Sequence, residues 1–316
     1  YDKNILLNKI KPFLYKKRRQ LYKLPKQYFQ QIFWEHNIDN LYYGHYNILK
    51  KYSKIILPYK INGEVQHGWS PNHGIPSNPL LQNSEDKNKR YYLINEDNKK
   101  KSIHYGYNNV HVIGAPFIYL PGILEKDDTK SPNSLILFPL HTTEYDDFKD
   151  SIASYKNYIK ELKKIIHFFN FITVSLGWRE FDNKKIVGLF ENEGIKVITM
   201  GHRDNNPKFL HNFVKIVRCH EYVSSDSFSS AIFYSLLMRK KVFIYGKHMG
   251  EEVEINWKGM VKDYQKLYKQ RYPELKWENF SYRSYPEIGE KELGLSFKLS
   301  PKKMREVFGW SMSKIF

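Results

Sequence analysis

Positions 224–230 hold five Ser and one Asp directly ahead of an apolar segment, within the run YVSSDSFSSAIFYSLLMRKKVFIYG from Tyr222 to Gly246. A strand end, a hydroxyl-rich turn and an amphipathic helix in that order bring hydroxyls and free backbone N–H groups to one helix N-terminus, which is the chemistry of a phosphate seat. Ala231, Leu236 and Leu237 mark the helix, with Asp226 or Ser227 expected as N-cap just before Phe228. Lys240 and Lys241 are expected to close its last turn before a strand at Val242–Tyr245. Each serine alone is an ordinary cap or turn former, but one cap does not need five.

A second group of able residues lies in Val65-Gln-His-Gly-Trp-Ser-Pro-Asn-His-Gly74. His67 at a strand end presents an imidazole suited to deprotonating a hydroxyl, and His73 follows in the same loop. Both histidines equally suit a role in holding the loop by hydrogen bonds. Neither has carboxylate or cysteine neighbours at ligand spacing, so no metal site is expected. Asp146-Asp147 and Glu251-Glu252 read as a helix-start charge pair and a solvated loop, which leaves Glu144 as the better candidate carboxylate, with helix capping as its alternative. Gly201-His-Arg203 joins an imidazole to a guanidinium at another strand end, fit for a diphosphate or a sugar carboxylate. Trp178 and Arg179 fit the same ligand, although Arg179 equally suits an ion pair with Glu180 or Asp182.

The elements that must position these groups follow two patterns. Residues 1–57 read as mainly helical, including Tyr28–Trp34 and Tyr46–Tyr52, and are followed by strands at Lys54–Leu57, Glu64–Gln66, Tyr91–Ile94 and Val110–Ile113. Asn78–Arg90 reads as a surface loop and Leu124–Pro132 as an interdomain linker. From there strands and helices alternate strictly. Strands at 134–138, 171–174, 195–199, 221–223 and 242–245 are separated by helices near 147–168, 183–192, 207–217 and the serine-headed segment. That succession specifies a parallel sheet covered on both faces, a Rossmann-like domain whose ligands sit beyond the C-terminal strand ends. The loops to inspect are therefore His141–Glu144, Gly177–Arg179, Gly201–Arg203 and Ser224–Ser230. Neither Gly-x-Gly-x-x-Gly nor Gly-x-x-x-x-Gly-Lys-Ser/Thr occurs, which disfavours the usual NAD turn and the P-loop. Beyond Gly246 the pattern is irregular, with a short Val253–Trp257 segment and helices near 261–270 and 301–308. The domains expected are an α/β acceptor-side unit at 1–123, a Rossmann-like donor unit at 133–250, and a helical tail at 251–316 bracing the two.

Composition narrows the class. The 316 residues are 41% hydrophobic and 16% aromatic, a folded chain long enough for two domains, with a formal charge of +18. Such charge suits a nucleic acid, an anionic membrane or a phosphorylated substrate, and net charge alone does not choose. Lys16-Lys-Arg-Arg19, set among Leu and Tyr within Lys9–Lys26, is the mixture expected to meet anionic headgroups. Cys219 is the only cysteine, which excludes an internal disulfide and points to a reducing compartment. No apolar run is long enough to span a bilayer and no signal pattern opens the chain, so a cytoplasmic protein peripheral to the inner membrane face is expected.

The order of Gln66-His-Gly68, Gly114-Ala-Pro116, Gly201-His-Arg203 and Ser-Asp-Ser-Phe-Ser-Ser before an apolar helix resembles the CDP-glycerol glycerophosphotransferase group, and bacterial sialyltransferases share the late His and paired Ser. The likeness is spread over residues 65–246. It implies a GT-B architecture of two facing Rossmann-like domains. It also implies His67 as base, His202 as a donor-phosphate contact, and Ser229 with Ser230 as the phosphate-binding pair; the strand-end residues themselves add Glu144 as a second catalytic candidate and Arg203, Arg179 and Ser225 on the donor side. Trp69 and His73 fall on the acceptor side. Departures are His202-Arg203 for the familiar His-Pro and Gly68-Trp69 for Gly-Thr. The function implied is a metal-independent glycosyltransferase without a bound cofactor. It would move a sugar or polyol phosphate from a nucleotide-activated donor, with a cytidine nucleotide preferred, to a glycan or lipid-linked acceptor, with no nucleic acid as partner. Two alternatives stand beside it: a nucleotide-sugar epimerase or hydrolase of GT-B shape, and a non-catalytic binder of anionic lipid or nucleic acid.

Overall fold

The structure, a computed structural model, describes residues 35, 37–57, 59–75, 86–125, 131–140, 148–203, 206–247 and 258–310. The expected helix at Tyr28–Trp34, the basic run Lys16–Arg19, Val253–Trp257, and the candidate pairs Asp146-Asp147 and Glu251-Glu252 lie outside these residues, as does Glu144.

Among the described residues the first unit has a short helix α1 (Ile38–Leu41), a single 3-10 turn at Tyr42–Gly44, and α2 (His45–Tyr52). Gly44 has φ +80 and sits against the carbonyl of Pro207, so a side chain there would strike backbone. Three short strands, β1 (Glu64–Val65), β2 (Tyr91–Leu93) and β3 (Val110–Val112), form a parallel sheet in that order. The strand expected at Lys54–Leu57 is instead a turn and loop: Lys54 adopts φ +57, its N–H bonds back to the Lys51 carbonyl, and Ile56 and Leu57 face outward. Between β2 and β3 lies α3 (Glu96–His104), which the sequence reading did not anticipate because its buried faces are polar, Asn98 and Ser102. Its start is nonetheless well formed, since the Asn95 side chain accepts from the Asn98 N–H at 2.9 Å.

The second unit alternates as expected. Five parallel strands, β4 (Ser131–Leu137), β5 (Phe171–Ser175), β6 (Lys196–Ile198), β7 (His220–Ser225) and β8 (Lys241–Ile244), stand in the order β6-β5-β4-β7-β8. The helices between them are α4 (Phe148–Leu162), α5 (Trp178–Asp182), α6 (Lys184–Glu191), α7 (Phe209–Arg218) and α8 (Ser230–Leu237). Chain direction across the sheet reverses between β4 and β7, which makes the crevice beyond their C-terminal ends the topological switch point. The expected linker ends sooner than Pro132. β4 already begins at Ser131, and the register shift between Ser131 and Leu135 absorbs Pro132 and the φ +54 of Asn133.

One buried apolar cluster runs through both units, and its contacts include Trp69 against Phe233 at 4.5 Å and Phe117 stacked on Tyr234 at 4.1 Å. A second cluster lies under α4 and α6 and includes Leu135, Leu137, Tyr155, Phe190 and Val197. The tail contributes α9 (Lys258–Arg271), α10 (Pro286–Glu292) and α11 (Pro301–Phe308). α10 packs on α8 at Gly289, while α11 returns to the first sheet, where the Tyr92 hydroxyl donates to the Val307 carbonyl at 2.8 Å and the Trp310 indole to that of Lys60 at 2.8 Å. The class is thus α/β, with parallel sheets of three and five strands. Among the described residues no helix is long and apolar enough to cross a membrane.

Candidate functional site

The serine-rich turn leaves the end of β7 at the switch point, where it is stitched to the strand beside it. The Ser225 hydroxyl donates to the Phe138 carbonyl at 2.6 Å, and the Leu140 N–H donates to the Asp226 carboxylate at 2.8 Å. Both side chains are fully buried. Ser225, expected at the donor, is therefore committed to joining the β4 and β7 loops. Phe228 is clamped in turn by Gln265 of α9, which accepts from its N–H at 2.8 Å and donates to its carbonyl at 3.2 Å. These bonds hold 226–228 outside the helix, so the N-cap is Ser229 and neither Asp226 nor Ser227. The C-terminal end is also earlier than expected. Arg239 takes φ +60, Lys240 is buried with its ammonium on the Arg218 carbonyl at 3.0 Å, and Lys241 already belongs to β8.

Ser229 has extended backbone and makes no side-chain cap bond. Its hydroxyl is half-buried at a helix end that lacks an internal acceptor for its first N–H groups. Ser230 differs. Its hydroxyl accepts from the Trp69 N–H at 2.9 Å and lies where a Cβ on Gly68 would fall, also at 2.9 Å. The His-Gly loop of the first unit is thus pinned to the helix start of the second, which brings His67 to the same crevice. Gly68 is the residue that permits this approach.

His67 is 41% exposed in its side chain, with Nδ1 at 3.9 Å from the Asp39 carboxylate and its ring 5.1 Å from that of Tyr42. Asp39 was not among the residues picked from the sequence. Burial pushes its carboxyl up from 3.8 to about 7, with the charge of Glu64 and a hydrogen bond to it adding to the rise, while Lys89 and Arg203 pull the other way. Glu64 itself accepts from Lys89 and from the Asn37 amide. Arg203 closes the group from the second unit: its guanidinium lies 5.2 Å over the Tyr42 ring, and its carbonyl accepts from the Tyr43 N–H at 2.6 Å. Behind them His45 is fully buried and held neutral, its imidazole lowered to about 3 by burial and by the nearby His67.

Farther along the sheet edge, His202 is buried with its ring 4.7 Å from Trp178, and the Arg179 guanidinium lies 5.2 Å over the other residue of that stack, Trp178. These three side chains line up at the ends of β5 and β6. Trp69 and His73, expected on the acceptor side, are placed in packing. The Trp69 indole donates to the buried Glu292 at 2.8 Å and its ring meets Tyr268 edge-on at 4.9 Å. His73 accepts from the Ile75 N–H at 3.2 Å and lies against Tyr105 and Tyr107. Among the described residues no group of three or more His, Cys, Asp or Glu is arranged to hold a metal ion.

No family model matches the chain, and no curated protein matches it. Among solved structures it is similar to the S. aureus MnaA–UDP co-structure, at 14% identity and a TM-score of 0.38, over 70% of this chain and 60% of that one. It is also similar to UDP-GlcNAc 2-epimerase from Neisseria meningitidis bound to UDP-GlcNAc, at 18% identity and a TM-score of 0.35, over 66% of this chain and 60% of that one. The chain thus spans 60% of the length of each of these proteins. Neither is described as a glycerophosphotransferase or a sialyltransferase, the group that the short motifs resemble.

Proposed function

We propose that the chain is an enzyme acting on a nucleotide-activated sugar. The observation that carries this reading is the junction at the switch point, where the Ser229-headed end of α8 and the His67–Asp39 pair are brought together by the bond between Ser230 and Trp69. The diphosphate would lie at the helix end, met by the Ser229 hydroxyl, free N–H groups and the Arg203 guanidinium. The sugar would then face His67 and Asp39. A carboxyl that titrates near neutrality beside an imidazole can accept a proton in one step and return it in the next. Charge developing on the departing diphosphate would be stabilised by the same donors that bind it.

Two reactions use such a pair. In transfer, the proton comes from an acceptor hydroxyl and the sugar leaves with the acceptor. In donor-only chemistry, epimerisation or hydrolysis, the proton comes from the sugar itself or from water. One observation bears on the choice: Trp69, expected to meet an acceptor, is buried with its indole on Glu292, whereas His73 is half-buried beside Tyr105 and Tyr107. Incubation with nucleotide-sugars alone, followed by phosphate-release and sugar-product assays, separates the two. Turnover without added acceptor supports the donor-only reading, and turnover only with a hydroxyl acceptor assigns transfer. No turnover under either condition, with Asp39→Asn and His67→Ala binding nucleotides as the parent does, sinks the enzymatic reading.

A further inference from the structure

We propose that the loop following α2 docks the protein on an anionic lipid surface. Ile56 is 91% exposed, the most exposed large apolar side chain among the described residues, and Leu57 beside it is 52% exposed. The loop that carries them is anchored at both ends. On one side the Ile55 N–H donates to the Lys50 carbonyl at 3.2 Å and the Arg305 guanidinium donates to the Ser53 carbonyl at 2.8 Å. On the other, the Ile61 N–H donates to the Glu35 carboxylate at 2.9 Å. An apolar tip held out by a fixed base projects into whatever lies beyond the surface.

The charged residues of the loop itself, positions 51–62, are all lysines. Lys51, Lys54 and Lys60 are exposed and have no acidic partner among the described residues. Lys298 joins them from the tail, its ammonium 5.6 Å over the Tyr52 ring. The crowding is felt by His211 of α7, which is lowered first by burial and then by the Lys51 and Lys208 charges. Of the carboxylates in this region, Glu35 is buried and bonded to backbone, and Glu306, next to the Arg305 that holds the loop, is paired with Lys303 at 3.3 Å.

Apolar side chains ringed by lysines match a bilayer interface, where the tip enters the acyl boundary and the ammonium groups meet phosphate headgroups. A nucleic acid would use the lysines but leave Ile56 and Leu57 in water. A second copy of the chain would set one lysine ring against another. Charge complementarity therefore selects anionic lipid. The basic run Lys16–Arg19 is a separate segment, and this surface does not depend on it.

The test is sedimentation of the full chain with vesicles of phosphatidylcholine, with or without phosphatidylglycerol. The parent is expected to partition onto the anionic vesicles only, less so as salt is added. Lys51→Gln/Lys54→Asn/Lys60→Gln should lower the partition coefficient about a hundred-fold, at roughly five-fold per lysine. Asn is chosen at 54 because it tolerates the positive φ there. Ile56→Ser/Leu57→Ser should lower it about ten-fold or more. Both variants change exposed side chains and should keep the parent's melting temperature. Parental partition by either variant overturns the proposal. So does equal binding to both kinds of vesicle, or a lysine-dependent retention of single-stranded RNA by a chain that ignores the vesicles.

Discussion

Asp39 shows how a residue can be chemically central and carry no local mark. It sits on a four-residue helix 28 positions before His67, and nothing in its neighbourhood in sequence distinguishes it from other surface aspartates. Its rise to about 7 comes from burial and from Glu64, both supplied by the fold. Linkage fixes the sign of the consequence. Because the folded state keeps this proton and the unfolded state releases it, the stability from Asp39 is complete below about pH 4 and lost as pH rises through about 7. Denaturant midpoints should therefore fall from pH 5 to pH 8 more in the parent than in Asp39→Asn, and an equal fall in both would place the carboxyl elsewhere. The serines separate in the same way. Ser229→Ala should weaken nucleotide binding about thirty-fold, for loss of one charge-assisted hydrogen bond, at an unchanged melting temperature. Ser230→Ala should cost about 1 kcal/mol of stability through the lost bond to Trp69. A reversed pattern, in which Ser229→Ala destabilises and Ser230→Ala does not, would exchange their roles.

At the scale of elements, the strands of the second unit were legible because each is a short apolar run bounded by polar turns, and strict alternation with helices leaves one class of sheet. The start of α8 was not legible to the residue. Capping chemistry favoured Asp226 or Ser227, but Leu140 bonds Asp226 and Gln265 clamps Phe228, which keeps the buried turn out of the helix, and both partners are distant in sequence. α3 escaped notice for a different reason: it packs Asn98 and Ser102 inward, so hydrophobic spacing had nothing to report. One close contact between helices is permitted by a glycine. A Cβ on Gly289 of α10 would lie 2.5 Å from the Leu237 N and 2.9 Å from the Phe233 carbonyl oxygen, both backbone atoms of α8. Gly289→Ala should then cost about 2 kcal/mol by forcing the helices apart. Chemical denaturation with an unchanged midpoint would show that α8 and α10 can separate freely.

For the whole molecule, one buried carboxylate ties the first unit to the tail, beside the Ser230 bond that ties it to the second unit. Glu292 accepts from the Trp69 indole at 2.8 Å and from the Tyr272 hydroxyl at 2.6 Å, with Arg271 at 3.6 Å, so the loop bearing His67 is tied both to α8 and to the tail. Sequence reading found the loop, the helix and the need for a crevice between them. It did not find the tie, which depends on residues more than two hundred positions apart. Trp69→Phe keeps much of the ring packing but removes the donor, and should cost about 2 kcal/mol as a hydrogen bond to a charged group is lost. The proposal on which the rest depends is that this junction seats a nucleotide diphosphate. Calorimetric titration of CDP, UDP, GDP and ADP into the parent and into Ser229→Ala tests it most directly. At least one of the four should bind the parent and bind Ser229→Ala about thirty-fold more weakly; no binding by any of them, or equal affinity in both proteins, would rule the seat out.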